Sequence, residues 1–231
     1  MFKFLREMVD AVREGAAEGL EEARQEAAVA AAAQQQLNVE RSSQIERQLT
    51  LTSQPERIAA ALAAPYRETF LAELASAAAE SRLPLYLLCT RLPDHEVTEW
   101  RSLLQRDFDI DDADSARATA AALVSGITPA TDSGDVALLV VRAAHILTGA
   151  AGVGYISAGQ AMEWAAPLTA LAASRFDAWA SFGQAFLRGE ATAPGSNLLG
   201  RKVLANAVKR LQEQPASPWQ TVAWPQPVPS A

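Results

Sequence analysis

Val136-Ala137-Leu138-Leu139-Val140-Val141-Arg142-Ala143-Ala144-His145-Ile146-Leu147 is apolar on nearly every side of a helical wheel. A helix without a polar face has to be surrounded by protein, so this segment predicts the central buried helix of the fold. Ser133 or Asp135 is placed to open it, and the glycines from Gly149 to Gly154 are placed to turn the chain after it. Downstream, Ser157 and Gln160 have the spacing of a capping box before a helix holding Ala161, Met162, Trp164, Leu168 and Leu171. Phe176, Trp179, Phe182, Phe186 and Leu187 then recur at steps of three and four, which predicts a second helix ending at Gly189. A last helix holds Leu199, Val203, Leu204, Val208 and Leu211, with Arg201, Lys202, Lys209 and Arg210 on its polar side.

Upstream of the central segment, Asp111 or Asp112 suits the cap of a helix running from Ala116 to Val124 and stopping at Gly126. Asp94 suits the cap of an earlier one carrying Val97, Trp100, Leu103 and Leu104. Pro55 opens a short helix to Ala63, Pro65 stops it, and a further helix carries Phe70, Leu71 and Leu74. The apolar run Leu83 to Cys89 is too short for periodicity to decide between helix and strand. Abundant alanine and sparse β-branched residues favour helix throughout. The fold class expected is therefore all-α, a single bundle of about eight to ten helices.

Two appendages flank that bundle. Phe4, Leu5, Met8, Val9, Val12, Ala16 and Leu20 recur at helical spacing, giving an amphipathic arm that fades into a linker near residue 40. Pro215, Pro218, Pro225, Pro227 and Pro229 predict an extended tail. The expected organisation is an arm and linker over 1–40, a helical domain over 41–214 and a proline-rich tail over 215–231.

Composition narrows the function classes. Of the 231 residues, 49% are hydrophobic and 20% charged, so a packed core is affordable by composition and disorder is not the expectation. The net charge of −7 gives no general attraction to phosphate backbones, so nucleic acid is not the expected partner. One cysteine, Cys89, allows no internal disulfide, and its apolar neighbours would silence it as a nucleophile. The start Met1-Phe2-Lys3-Phe4-Leu5-Arg6-Glu7 lacks the apolar core of a secretion signal, and a cytoplasmic location is expected.

Motif by motif, structural readings outweigh chemical ones. The acids from Asp107 to Asp114 alternate as in a calcium loop, but Asp112 and Ala118 stand where a turn glycine and a closing glutamate are needed, so helix capping explains them better. Gly149-Ala150-Ala151-Gly152-Val153-Gly154 follows a helix, not a strand, and does not make a dinucleotide fingerprint. His95, beside Asp94, reads as a solvated residue at a helix start, and no two histidines have metal-ligand spacing. No metal and no cofactor is expected. Arg142 and His145, three apart, can face one polar pocket, with Glu163 or Asp177 as carboxylate partners. Trp219 and Trp224, in the proline tail, either dock back onto the domain or reach a partner.

Three pieces of Trp100 to Gly189 resemble the bacterial domain-of-unknown-function family 1266, which includes the Ybe-type proteins. They are Trp100 with Phe108-Asp109-Ile110; Arg142-Ala143-Ala144-His145-Ile146-Leu147 leading to Gly154-Tyr155-Ile156-Ser157; and Ala161-Met162-Glu163-Trp164 with Phe176-Asp177-Ala178-Trp179-Ala180-Ser181-Phe182-Gly183 and Phe186-Leu187-Arg188-Gly189. Where the family often has Trp-Asp before its arginine, this chain has Leu138-Leu139, so Arg142 must pair elsewhere if that acid was its partner. The resemblance implies an accessory or immunity-like protein encoded near toxin or chaperone genes.

The function expected is that of a non-enzymatic protein-binding protein, an immunity-type or adaptor factor with a toxin- or chaperone-linked partner. Phe4, Met8, Val12, Trp219 and Trp224 are the candidate contacts, and the arm is the candidate seam of a homo-oligomer. The runner-up is a hydrolase or transferase with a pocket around Arg142 and His145. A third reading lays the arm, with Lys3, Arg6 and Arg13, on a membrane surface, against which acids outnumber bases over residues 1–30.

Overall fold

A computed structural model of the chain describes residues 24–29, 31–32, 53–71, 94–215 and 217–226. The chain divides into two compact units, 1–50 and 51–231. In the first, 24–29 and 31–32 are helical with exposed side chains. Phe4, Met8, Val12 and the run Leu83 to Cys89 lie outside the described residues.

The described part of the second unit contains eight helices and no strand: α1 (Gln54–Leu71), α2 (Asp94–Phe108), α3 (Ala113–Ser125), α4 (Ser133–Gly152), α5 (Ala158–Arg175), α6 (Trp179–Thr192), α7 (Leu198–Glu213) and the single turn α8 (Pro218–Thr221). As its all-round apolar pattern requires, α4 is the centre, with α1, α2, α3, α5 and α6 packed around it. Val136, Val140, Val141, Ile146 and Leu147 are all buried. Asp132 caps α4 by accepting from the Gly134 N–H at 2.7 Å, one residue before the expected opening at Ser133. The capping box at α5 forms as its spacing predicts, Gln160 N–H donating to Ser157 Oγ at 3.2 Å and Ser157 N–H to Gln160 Oε1 at 3.0 Å. Asp112 caps α3 in the same way through Ser115.

Four expected helix breakers do not break their helices. Pro65 lies inside α1, which runs on to Leu71. Proline has no N–H to give the carbonyl four residues earlier, and an orphaned buried carbonyl is what normally ends such a helix. Here the Ala61 carbonyl accepts the indole N–H of Trp219 at 2.8 Å, so the missing donor is replaced from another part of the chain. Gly189 lies inside α6, which continues to Thr192, and a Cβ there would overlap the Gly134 carbonyl of α4 and come within 3.0 Å of the Leu138 Cβ. The glycine permits close approach of two helices rather than ending one. Gly149 and Gly152 likewise stay in α4, and the turn comes at Gly154, whose φ of 80° is one that glycine adopts freely.

Residues 217–226, the described part of the proline-rich segment after α7, are tied down. Pro218 occupies the first turn of α8, where its missing N–H costs nothing. Trp219 and Val222 are buried, Trp179 Nε1 donates to the Val222 carbonyl at 2.7 Å, and Trp224 Nε1 donates to the Phe176 carbonyl at 3.1 Å. Trp179 and Trp219 stack with centroids 5.7 Å apart and planes 11° from parallel. Of the two readings of these tryptophans, docking onto the domain is what residues 217–226 do, and the buried indole of Trp219 has no face to give a partner in this arrangement.

Candidate functional site

Arg142 and His145, three residues apart on α4, do reach one place, and α1 and α6 complete it. Arg142 Nε donates to Tyr66 Oη at 3.1 Å, and Arg142 Nη2 lies 3.4 Å from Glu190 Oε1. The Tyr66 hydroxyl donates to the same carboxylate oxygen. Burial, first, pushes the Tyr66 phenol up, well beyond its ordinary value, although Arg142 pulls the other way, so it stays a neutral donor. Burial also opposes the Arg142 cation, but Tyr66 and Glu190 outweigh it and hold the guanidinium charged. With Tyr66 neutral, Glu190 supplies the countercharge.

Glu163 and Asp177, the acids expected beside Arg142, are not there. Both are exposed, and Asp177 Oδ1 accepts instead from Ser181 Oγ at 2.5 Å, which lowers its pKa. Spacing along the chain could not reveal this, because Arg142 is answered by a residue of α6 that follows Gly189 and by one of α1 that follows Pro65.

His145 lies deeper. It is 2% exposed, walled by the rings of Tyr66, Trp100 and Phe108 at centroid distances of 5.6, 5.7 and 5.8 Å. Burial, and secondarily the charge of Arg67, push its imidazolium down to about 3, so the ring is neutral at physiological pH. Arg67, buried on α1, donates to Thr148 Oγ1, which in turn donates to the Ala144 carbonyl at 2.6 Å, and its guanidinium lies 5.7 Å from the Trp100 ring centre. Glu68, also buried on α1, is met by Arg210 Nε at 2.6 Å.

Above this set opens a cavity of about 690 Å³, bounded by Tyr66, Phe108, Arg142, His145, Glu190 and Arg201 among others. Residues 194–197, the connection into α7, form part of its wall. Tyr66, Glu190, Arg67 and Arg201 were not singled out by sequence. For Arg201 a signal existed: Gly195-Ser196-Asn197-Leu198-Leu199-Gly200-Arg201 runs a glycine-bracketed loop into a helix start with a basic residue in its first turn. No strand precedes that loop, so it is not a nucleotide-binding P-loop. A second cleft of about 620 Å³ lies beside Arg175, Asp177 and Trp224. Among the described residues no group of three or more histidines, cysteines or acids could hold a metal ion.

Further out, α7 departs from expectation. Its second half is packed, with Ala207, Val208 and Leu211 buried, but Leu198, Leu199 and Val203 are 76%, 73% and 42% exposed. Leu199 and Val203, on the apolar side of the expected helix, stand on the surface because only the C-terminal half of α7 lies against the bundle. The aromatic series of α5 and α6 is core as expected, with Trp179, Phe182 and Phe186 buried, while Trp164 is half-buried beneath the Arg117 guanidinium.

Residues 127–224 match the family model described as "Protein of unknown function (DUF1266)". The match takes in α4 to α8, so it extends beyond Gly189 to the docked tryptophans and leaves out Trp100 to Ile110. No curated protein and no solved structure matches the chain.

Proposed function

We propose that this chain is a non-enzymatic protein-binding protein, an immunity-type or adaptor factor that holds a protein partner on the exposed start of α7. The observation that carries the reading is the group Leu198, Leu199 and Val203, large apolar side chains left in solvent on a helix whose other half is packed. Leu199 and Val203 are four apart and share a face, so together they present the kind of anchor that fills a groove on another protein. Water-exposed leucines clustered in this way are a cost to an isolated chain and a gain once covered. Lys202 stands exposed beside them, which suits a partner whose groove carries a carboxylate at its rim.

The polar set beneath the cavity supports the same reading from the other side. A general base must present an accessible nitrogen, and His145 is enclosed by three rings. The one helix among the described residues long and apolar enough to span a bilayer is α4, and 83% of the 18-residue window that qualifies is buried within the fold, while Lys3, Arg6 and Arg13 of the surface-lying arm fall outside the described residues.

The test is affinity purification of the tagged intact chain from the cells that make it, beside the double variant Leu199→Asp with Val203→Asp. The expected result is a protein recovered near equimolar ratio with the intact chain and lost from the variant, whose melting temperature is unchanged. Recovery of no stoichiometric partner, or equal recovery by both chains, overturns the assignment.

A further inference from the structure

The cavity beside Arg142 is lined by both apolar and polar side chains. Leu103, Phe108, Leu123 and Leu204 contribute apolar side chains to its lining, and Arg142, Arg201, Tyr66 and Thr69 contribute polar ones. Its volume of about 690 Å³ falls within the range of roughly 300–1,000 Å³ common to small-molecule sites, which pair apolar walls with a few placed polar groups.

Four ionised side chains line it, and their pairing leaves one sign over. Glu190 is taken by Arg142 and Tyr66. Asp107 is held through both oxygens by Arg106, at 2.6 and 2.9 Å. Arg201 makes no ion pair among the described residues, and the side chain of Arg142 keeps 29% of its surface open, with Nη1 making no hydrogen bond there. His145, at the floor, is neutral. The cavity thus combines apolar lining with an uncompensated positive charge, to which the first turn of α7 adds its own partial charge.

We propose that this cavity binds a small organic anion, a carboxylate or phosphate monoester on an apolar body, with the head group held by Arg142 and Arg201 and the body against Phe108 and Leu204. Guanidinium is suited to both oxyanions because its planar donors match two oxygens at once. Glu190 keeps Arg142 in place for this, as a positioning residue. The site is separate from the partner surface, since Leu199 and Val203 are not among its lining residues. Loss of anion binding and loss of partner capture are therefore independent results.

Calorimetric titration of the full chain with octanoate, octyl phosphate, octylamine and octanol tests this directly. At least one of the two anions is expected to bind saturably at one site, octylamine not to bind, and the tighter anion identifies the head group. Arg201→Gln, an exposed position that leaves the melting temperature unchanged, is expected to weaken the anion about tenfold or more, the usual loss for one charge-assisted hydrogen bond. Leu204→Trp, which enlarges an apolar lining residue, is expected to weaken it with Arg201 intact. Absence of saturable binding by both anions overturns the proposal, as does equal binding of anion, amine and alcohol with no effect of Arg201→Gln. Sedimentation with phosphatidylglycerol vesicles, in the absence of any binding to the free octyl anions, overturns it too by moving the positive charge to a membrane surface.

Discussion

Glu190 is the residue on which the polar set turns. It is 12% exposed, lies 3.4 Å from Arg142 and accepts from Tyr66, so it answers one cation and one neutral donor on two other helices. Glu190→Gln keeps the shape and removes the charge. It should lower stability by about 1–3 kcal/mol, the cost of leaving a charged group without its charged acceptor, and thermal unfolding of the two chains checks this. An unchanged melting temperature would mean that Arg142 finds its countercharge elsewhere. Sequence showed that Arg142 and His145 share a face but named Glu163 and Asp177 as their acids. The error has a physical origin: Pro65 and Gly189 are helix breakers by residue type yet lie inside their helices, and the residues that complete the site, Tyr66 and Glu190, each follow directly behind one of them.

At the scale of the element, α1 and the docked segment after α7 explain each other. An alanine-rich helix interrupted by proline is a poor helix alone, yet Ala59 to Ala64 are buried and α1 runs on through Pro65. The Trp219 indole gives the Ala61 carbonyl the donor that Pro65 lacks, and a hydrogen bond supplied from 158 residues away leaves no mark in local sequence. Trp219→Phe retains an aromatic ring and deletes that donor. A loss of about 1–3 kcal/mol is expected for the buried carbonyl, over and above the smaller ring, measurable by urea unfolding. Pro65→Ala, which restores an N–H four residues after Ala61, should recover part of the loss when combined with Trp219→Phe and little in the native background. If the two substitutions were simply additive, the compensation inferred here would be wrong. The same reasoning separates the two halves of α7. Its heptad-like pattern was legible, but how far along the helix the bundle reaches is set by packing, so Leu199 and Val203 read as core and stand in solvent.

For the whole molecule, the sequence was most informative where one segment had only one possible environment. The central position of α4 follows from its lack of a polar face, and the caps at Asp112 and Ser157 follow from side-chain chemistry within one turn. Burying a histidine in that centre carries a global consequence. In the unfolded chain His145 takes up its proton near pH 6.5, and in the fold only near pH 3. Between these values the unfolded state holds more protons, so the contribution is fully present above about pH 6.5 and is lost as pH falls toward 3, with a slope of about 1.4 kcal/mol per pH unit. His145→Phe should lack this component, and urea unfolding of both chains between about pH 7 and 4.5 isolates it as the difference in slope. Parallel pH profiles would show that the native ring accepts a proton as readily as the unfolded one.

The preference for a binding protein over an enzyme at Arg142 and His145 rests on His145 being enclosed and neutral rather than an available base. Its imidazole carbon-bound proton resonances, followed by NMR across pH in the native chain, report this without reference to any partner or substrate. The account predicts that one of the two histidines, assigned as His145 by its disappearance in His145→Phe, shows no titration from about pH 8 down to about pH 4.5. A His145 resonance that titrates with a midpoint near pH 6 to 7 would contradict the account and return Arg142 and His145 to the role of an acid–base pair.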